Sequence, residues 1–350
     1  MNSPWNRFVL WLPEAWSRLK VQGAERRLRE RGVELAIERI VTQANPALRG
    51  LGGYKRKLYP VVERLLAYSE ELVAQIPGPI TVDPDSWSSD PLVNALFGNV
   101  ERIRQVVSGP AVRGWVTANP VPRGDDLYAL LAVMPVERTQ LGMELLGDQV
   151  QRDVKQTTLS FTDHELHAVG ESMPDARRVL AGQLIDLIVS IAIADIVAQE
   201  ERIAALEQAV RMLKLKRKVV NPRAGAVDLS LSSSGQHLAE LERLQARIDE
   251  TERDLADASR GLGDIEQYLH RLVSLLDHPE RHLGLTRMHL WLDRMNIVRD
   301  RADPVASEIQ LVRGQRANQL GRVAEFIRFP RRLIKTADER LADVERHLGM

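Results

Sequence analysis

The clearest pattern in the chain is a seven-residue repeat of aliphatic positions between residues 183 and 276. Leu241, Ile248, Leu255, Leu262, Leu269 and Leu276 follow one another at that spacing. Three residues after the first five come Leu244, Thr251, Ala258, Ile265 and Leu272, while the positions between are mostly charged. Two apolar positions per heptad make a narrow seam along a helix, which is stable only when another helix covers it. An earlier arm has the same rhythm, with Val189, Ile196, Ile203 and Val210 at one position and Leu206 and Leu213 at the other, interrupted by Gln199. Two such arms joined by one connection seal each other by folding back. The pattern therefore predicts a long antiparallel coiled-coil hairpin over residues 176–281, with its tip near 214–235. Arms of some thirty residues would extend about 45 Å. The alternative is that each arm pairs with a copy of itself in a dimer.

Residues 1–108 read as a helical region. Pro13 suits the start of one helix, Gly50, Gly52 and Gly53 break the pattern, and a second helix follows from about Tyr59. Four prolines between Ile76 and Pro91 mark a turn-rich connection, after which Asp90 is placed to cap a helix running to Val107. Residues 109–175 change character. Short runs at Val112–Thr117, Leu127–Met134, Gln140–Leu146 and Val150–Phe161 read as strands, with Gly147-Asp148 a hairpin turn between two of them. Residues 282–350 form a second β-rich part. Thr286, Met288, Leu290 and Leu292 alternate with polar neighbours, Ile309–Leu311 and Val323–Arg328 suggest further strands, and a closing helix is expected over Thr336–Leu348. The expected fold class is α+β and predominantly helical. One mixed or antiparallel sheet would be shared by the two β-rich parts, with the hairpin inserted between them.

Composition narrows the chemistry. The 350 residues are 44% hydrophobic and 27% charged, as in ordinary globular chains. The 48 basic and 48 acidic residues cancel, which argues against a general nucleic-acid coat but leaves local patches open. The absence of cysteine removes thiol nucleophiles, disulfides, thiolate zinc sites and iron–sulfur clusters, and fits a reducing compartment. The apolar run Phe8–Leu12 is too short for a signal peptide, and Leu184–Ala198, which contains Asp186 and Asp195, reads as a buried helix segment rather than a membrane span. A soluble cytoplasmic protein is expected.

Two segments are candidates for contact with partners. Lys214, Lys216, Arg217, Lys218 and Arg223 cluster where the first arm ends, and Val219–Gly235 supplies only Asp228 against them. Such a tip suits phosphates, acidic headgroups or an acidic partner, although cations also simply favour a helix C-terminus. Trp5, Phe8, Trp11 and Trp16 lie on a basic N-terminal segment suited to docking on the protein's own body, on a partner or on a membrane interface. His164 and His167 are three apart and lack the His-Glu-x-x-His spacing, while His278 and His282 are four apart but have Pro279 between them, which argues for a turn rather than a ligand-bearing helix. The glycines at 50, 52 and 53 lack the phosphate-loop spacing, and no nucleophile elbow or dinucleotide fingerprint occurs. No catalytic residue, cofactor or metal is expected. The sequence points to a non-enzymatic adaptor or scaffold that uses the hairpin for protein–protein interaction. A nucleic-acid-associated protein using the basic tip, or a peripheral membrane protein held by the Trp-rich segment, are the alternatives, and a homo-oligomer is possible.

Overall fold

The computed structural model describes residues 22–146, 149–220, 234–260, 264–316, 319–340 and 342. The fold is α+β, with helix outweighing strand. The chain divides into two compact units: residues 65–186 and 279–350 with the N-terminal residues to 29, and residues 30–64 with 187–278.

The first unit is built on a six-stranded sheet. Its order is β3 (Gln149–Gly170), β2 (Asp126–Leu146), β6 (Gln319–Pro330), β5 (Ser307–Arg316), β4 (Gly284–Leu292), and the short β1 (Ile80–Thr81) pairs with β6. Every pairing is antiparallel except β1 with β6. β2 and β6 come from opposite sides of the helical insertion and pair from Asp126↔Pro330 to Val133↔Val323, so the two β-rich parts share one sheet. The run Leu127–Val133 is apolar at almost every position because both faces of the sheet are covered. On one face Leu127, Leu131, Val323, Ile327 and Phe329 pack with residues 93–112. On the other Leu130, Ala324 and Phe326 pack with Val73, Ile76, Ala176 and Leu180.

The first face is covered by four short helices, α3 (Pro84–Ser89), α4 (Pro91–Leu96), α5 (Val100–Val107) and α6 (Pro110–Ala118). Each start is explained locally. Asp83 and Ser86 form a capping box, Asp90 Oδ1 accepts from the Leu92 amide, Asn99 Oδ1 accepts from the Arg102 amide, and Pro110 opens α6. Asp90 caps as expected, but the helix after it stops at Leu96 and restarts at Val100. The expected strand at Val112–Thr117 is instead part of α6, whose Val112 is buried against the sheet. A short apolar run between Gly and Pro signals does not by itself distinguish strand from helix.

The strands are longer than the sequence suggests. β2 joins two of the expected runs into 21 residues, and its ladder with β3 reaches Leu146↔Gln149, so the hairpin connection falls at 147–148, outside the described residues. The segment Asp163–His167, just past the expected run Val150–Phe161, lies inside β3. The strands expected at 286, 309 and 323 are β4, β5 and β6; of the closing helix, residues 337–340 and 342 are helical and the rest lies outside the described residues. The two edge strands are tied together by the segment 296–298. Ile297 pairs with Thr158 of β3 through Leu159 N–H to Asn296 O and Val298 N–H to Thr157 O, both 2.8 Å. Val298 pairs with Leu292 of β4 through Asp293 N–H to Ile297 O (3.1 Å) and Arg299 N–H to Trp291 O (2.8 Å). Asp293 holds this segment in place: Oδ1 accepts from the Met295 and Ile297 amides, and Oδ2 pairs with Arg299 Nε at 3.0 Å.

The second unit is helical. Its members are α1 (Gln22–Ala44), a 3-10 turn (Pro46–Gly50), α2 (Tyr54–Gln75), α7 (Met173–Val220), α8 (Ser234–Ala258) and α9 (Ile265–Leu276), with α1, α2 and α7 also contributing residues to the first unit. The turn between α1 and α2 is fixed by Glu38, which accepts from Tyr54 Oη (2.6 Å) and pairs with Lys55 and Arg49. The hydrogen bond from Tyr54 and the nearby cations hold its carboxyl at about 2. The α7 segment from Ile185 to Ile196 contributes Ile188, Val189, Ala192 and Ile196 to the buried interior. One stretch of α7 is long and apolar enough, by length and composition alone, to cross a membrane, as a core helix also can be.

α7 packs against α8. Gln199 Nε2 donates to Ala258 O at 2.9 Å, Lys214 pairs with Glu252 at 2.7 Å, and Arg217 donates to Gln245. Later residues of α7 meet earlier residues of α8, so the two helices run in opposite directions. Burial follows the predicted seam: Ile203, Leu206, Val210 and Leu213 on α7, and Leu241, Leu244, Ile248 and Leu255 on α8, are the covered positions. The second arm is not continuous. Helix stops at Ala258 and restarts after Asp264, whose side chain caps α9, and Leu262 lies outside the described residues. α9 keeps the heptad spacing, with Leu269, Leu272 and Leu276 buried, but its polar contacts go to α1 and α2: Tyr268 Oη to Ala44 O, Lys57 to Glu266 and Arg64 to Asp277.

One carboxylate interrupts the apolar β2–β6 ladder. Glu325 is opposite Leu131, 2% exposed, and its Oε2 has no hydrogen-bond partner among the described residues. Gly78, with φ +107°, passes directly over it; a Cβ there would meet Phe326 O at 2.6 Å and Glu325 Oε1 at 3.1 Å. Burial raises the Glu325 carboxyl from 4.5 to about 8. The unfolded chain therefore ionises first, and the stability associated with the neutral acid is present below pH 4.5 and lost as pH rises through about 8. Glu325→Gln should remove this slope, which is at most about 1.4 kcal/mol per pH unit. Urea unfolding of both proteins at several pH values checks it: the variant's relative stability must rise across that window, whereas a constant difference would mean the carboxyl is ionised throughout.

Candidate functional site

Beyond Gln199 the described hydrogen bonds and ion pairs from α7 to another helix go to α8, and the outward side of α7 there is exposed. With Val210 and Leu213 in the seam, residues 212, 215 and 219 fall on the opposite side of the helix. They are Met212, Leu215 and Val219, which are 61%, 56% and 69% exposed, and Leu238 near the start of α8 is 60% exposed. At 100° per residue, Lys216 borders this stripe on one side, and Arg211 and Lys218 border it on the other. Arg211 is paired with Glu207 at 3.5 Å.

The candidate cations separate into two groups. Lys214 and Arg217 face α8, where Glu252 and Gln245 hold them, so they contribute to pairing of the helices. Lys216 and Lys218 are exposed, with no ion pair among the described residues. Arg223 lies outside the described residues, as do Trp5, Phe8, Trp11 and Trp16. The apolar stripe was not anticipated, although its signal is in the heptad: Met212, Leu215 and Val219 occupy outward positions where a solvated two-helix hairpin places polar residues.

Two clefts lie among the described residues of the first unit. One of about 620 Å³ is lined by residues that include Ser88, Ser89, Asp90, Asn94 and Met295. The hydroxyls of Ser88 and Ser89 both donate to Asp85 O, which leaves them bonded to backbone rather than to a base. The other, about 490 Å³, is lined by Asp83, Asp125, Asp126, Arg328, Arg331 and Arg332 among others. Its charges largely neutralise one another. Arg328 Nε is 3.7 Å from Asp126, and Arg331, stacked 5.3 Å from the Trp115 ring, pairs with Glu171 at 3.0 Å.

His164 has a structural explanation. Its Nε2–H donates to Leu96 O at 2.7 Å, at the C-terminal end of α4, and the ring stacks on Phe97 at 5.5 Å. Burial lowers its pKa, and a neutral ring leaves Nδ1 to accept from Arg102 Nη2 at 3.4 Å. Trp87 Nε1–H satisfies the adjacent Phe97 carbonyl at 2.6 Å, so the two side chains together close that helix end. Among the described residues no three His, Asp or Glu side chains converge as a metal site.

Comparison with known protein families, with characterised proteins and with solved structures finds no match to this chain.

The division of the cations predicts different costs. Ile248→Ala, which empties a buried seam position, should destabilise the protein by about 2–4 kcal/mol. Lys216→Glu and Lys218→Glu should each change stability by no more than about 0.5 kcal/mol. Denaturant titrations of the three variants test this; a large loss for either lysine variant would place that side chain in the fold rather than on a free surface.

Proposed function

We propose that the protein is a non-enzymatic adaptor or scaffold that uses α7 and α8, read as an antiparallel coiled-coil hairpin inserted into the sheet domain, as its docking arm. The observation that carries this reading is the outward face at the end of the hairpin. Pairing of the helices consumes the aliphatic seam, yet Met212, Leu215, Val219 and Leu238 remain exposed beside Lys216 and Lys218. A cluster of this kind, both apolar and basic, suits a macromolecular surface better than bulk water. The reading includes the cytoplasm as the site of action, consistent with a cysteine-free chain.

A second reading is contact with nucleic-acid phosphates. It is favoured by the five basic residues between 214 and 223, against which the following connection sets only Asp228. Phosphate contact would give binding that weakens steeply with salt, but would draw nothing from the exposed apolar stripe.

The adaptor reading is tested by affinity purification from the native cell. The intact protein should recover a partner that is lost when residues 199–255 are replaced by a short turn. Identical recoveries from the two forms would make the hairpin a spacer and remove the adaptor reading's main support.

A further inference from the structure

We infer that the end of the α7–α8 hairpin docks on the anionic face of a lipid bilayer, a proposal that rests on reading this end as a docking surface and names what it meets. Three features of the surface carry it. The first is the continuous stripe Met212–Leu215–Val219, exposed on the side of α7 away from α8. The second is the position of the cations. Lys216 flanks the stripe on one side and Lys218 on the other, so both aliphatic stems can lie along an apolar layer while the ammonium groups stay at headgroup level. The third is the charge around them. From Lys214 to Ala239 there are five Lys or Arg residues and a single acid, Asp228, whereas the stretch from Glu240 to Asp257 that completes α8 is rich in Glu and Asp. The charge along the two arms is thus uneven, and the two cations that α8 does not hold, Lys216 and Lys218, are the ones beside the uncovered apolar side chains.

Three surfaces use these features differently. A phosphodiester backbone would engage the lysines but leave the stripe in water. An uncharged apolar groove would cover the stripe but leave the lysines unpaired. An anionic bilayer interface takes up both, since apolar side chains enter the headgroup boundary while lysines meet the negative surface potential. The cytoplasmic leaflet, the anionic one, is also where the proposed location would put the hairpin.

The test is co-sedimentation of the purified full-length protein with vesicles of phosphatidylcholine, with and without phosphatidylserine. The expected result is binding to the anionic vesicles that falls as salt is raised, with little binding to neutral ones. Lys216→Glu/Lys218→Glu and, separately, Leu215→Ser/Val219→Ser should each weaken binding by about tenfold or more. All four positions are exposed, so thermal melts should confirm that both variants remain folded. A chain lacking residues 1–20 should still bind. The proposal is overturned if the wild type does not sediment with anionic vesicles, or if the tip variants bind as well as it does. It is also overturned if deletion of residues 1–20 alone abolishes binding, which would assign the contact to the Trp-rich segment. Binding to a DNA duplex without binding to vesicles would favour phosphate contact instead. Because this experiment contains no other protein, its failure leaves the adaptor reading to be judged separately by the purification above.

Discussion

The structure depends on the pairing of β2 with β6. Val133 and Val323 are 190 positions apart in the chain, yet they face each other at one end of an eight-pair ladder whose other end is Asp126↔Pro330. Closing so large a loop is entropically expensive, but the cost grows only with the logarithm of its length, so a long helical insertion adds little beyond a short one. What offsets that cost is burial on both faces. Side chains pointing one way meet the short helices of residues 84–118, and those pointing the other way meet the end of α2 and the start of α7. A sheet apolar on both sides requires both covers, and the insertion itself supplies part of one of them.

The edges of this sheet are handled by a second device. Unpaired strand edges invite pairing with other chains, and here Asn296–Val298 sits between β3 and β4 so that each edge has a partner at that level. The segment can do this because Asp293 satisfies two amides and Arg299 at once, and because Asn296 tolerates φ +59°. The distal part of the β2–β3 ribbon lies past this level. Leu141 and Met143 are exposed there, the first unit's counterpart of the open stripe on α7.

In the helical unit the same heptad serves two environments. Around Ile188, Val189, Ala192 and Ile196, α7 belongs to the interior of a multi-helix unit, whereas after Gln199 its seam is covered by α8. Gln199 marks the transition. It is the one polar residue in its row, and its amide satisfies the carbonyl of Ala258, where α8 ends. A leucine there would leave that carbonyl at the helix terminus without this donor.

Much of the architecture was legible in the residues because period and spacing are local properties. Among the described residues the a and d positions of both arms are all at least partly covered, Asp90 is a cap, and the strands near 286, 309 and 323 occur where alternation predicted them. The sequence by itself determined which faces need covering. Only tertiary structure decided what covers them. Residues 112–117 became helix because an apolar run of that length suits either state and the sheet face required a lid. The second arm broke before Asp264, although its heptads continue, because α9 completes a unit with α1 and α2 instead of continuing α8. Of the five tip cations proposed from spacing, Lys214 and Arg217 turned inward, while Lys216 and Lys218 were left beside a stripe of exposed aliphatic residues. Spacing shows that charges lie close along the chain; which of them remain free depends on the side chains that a second helix, distant in sequence, brings within reach.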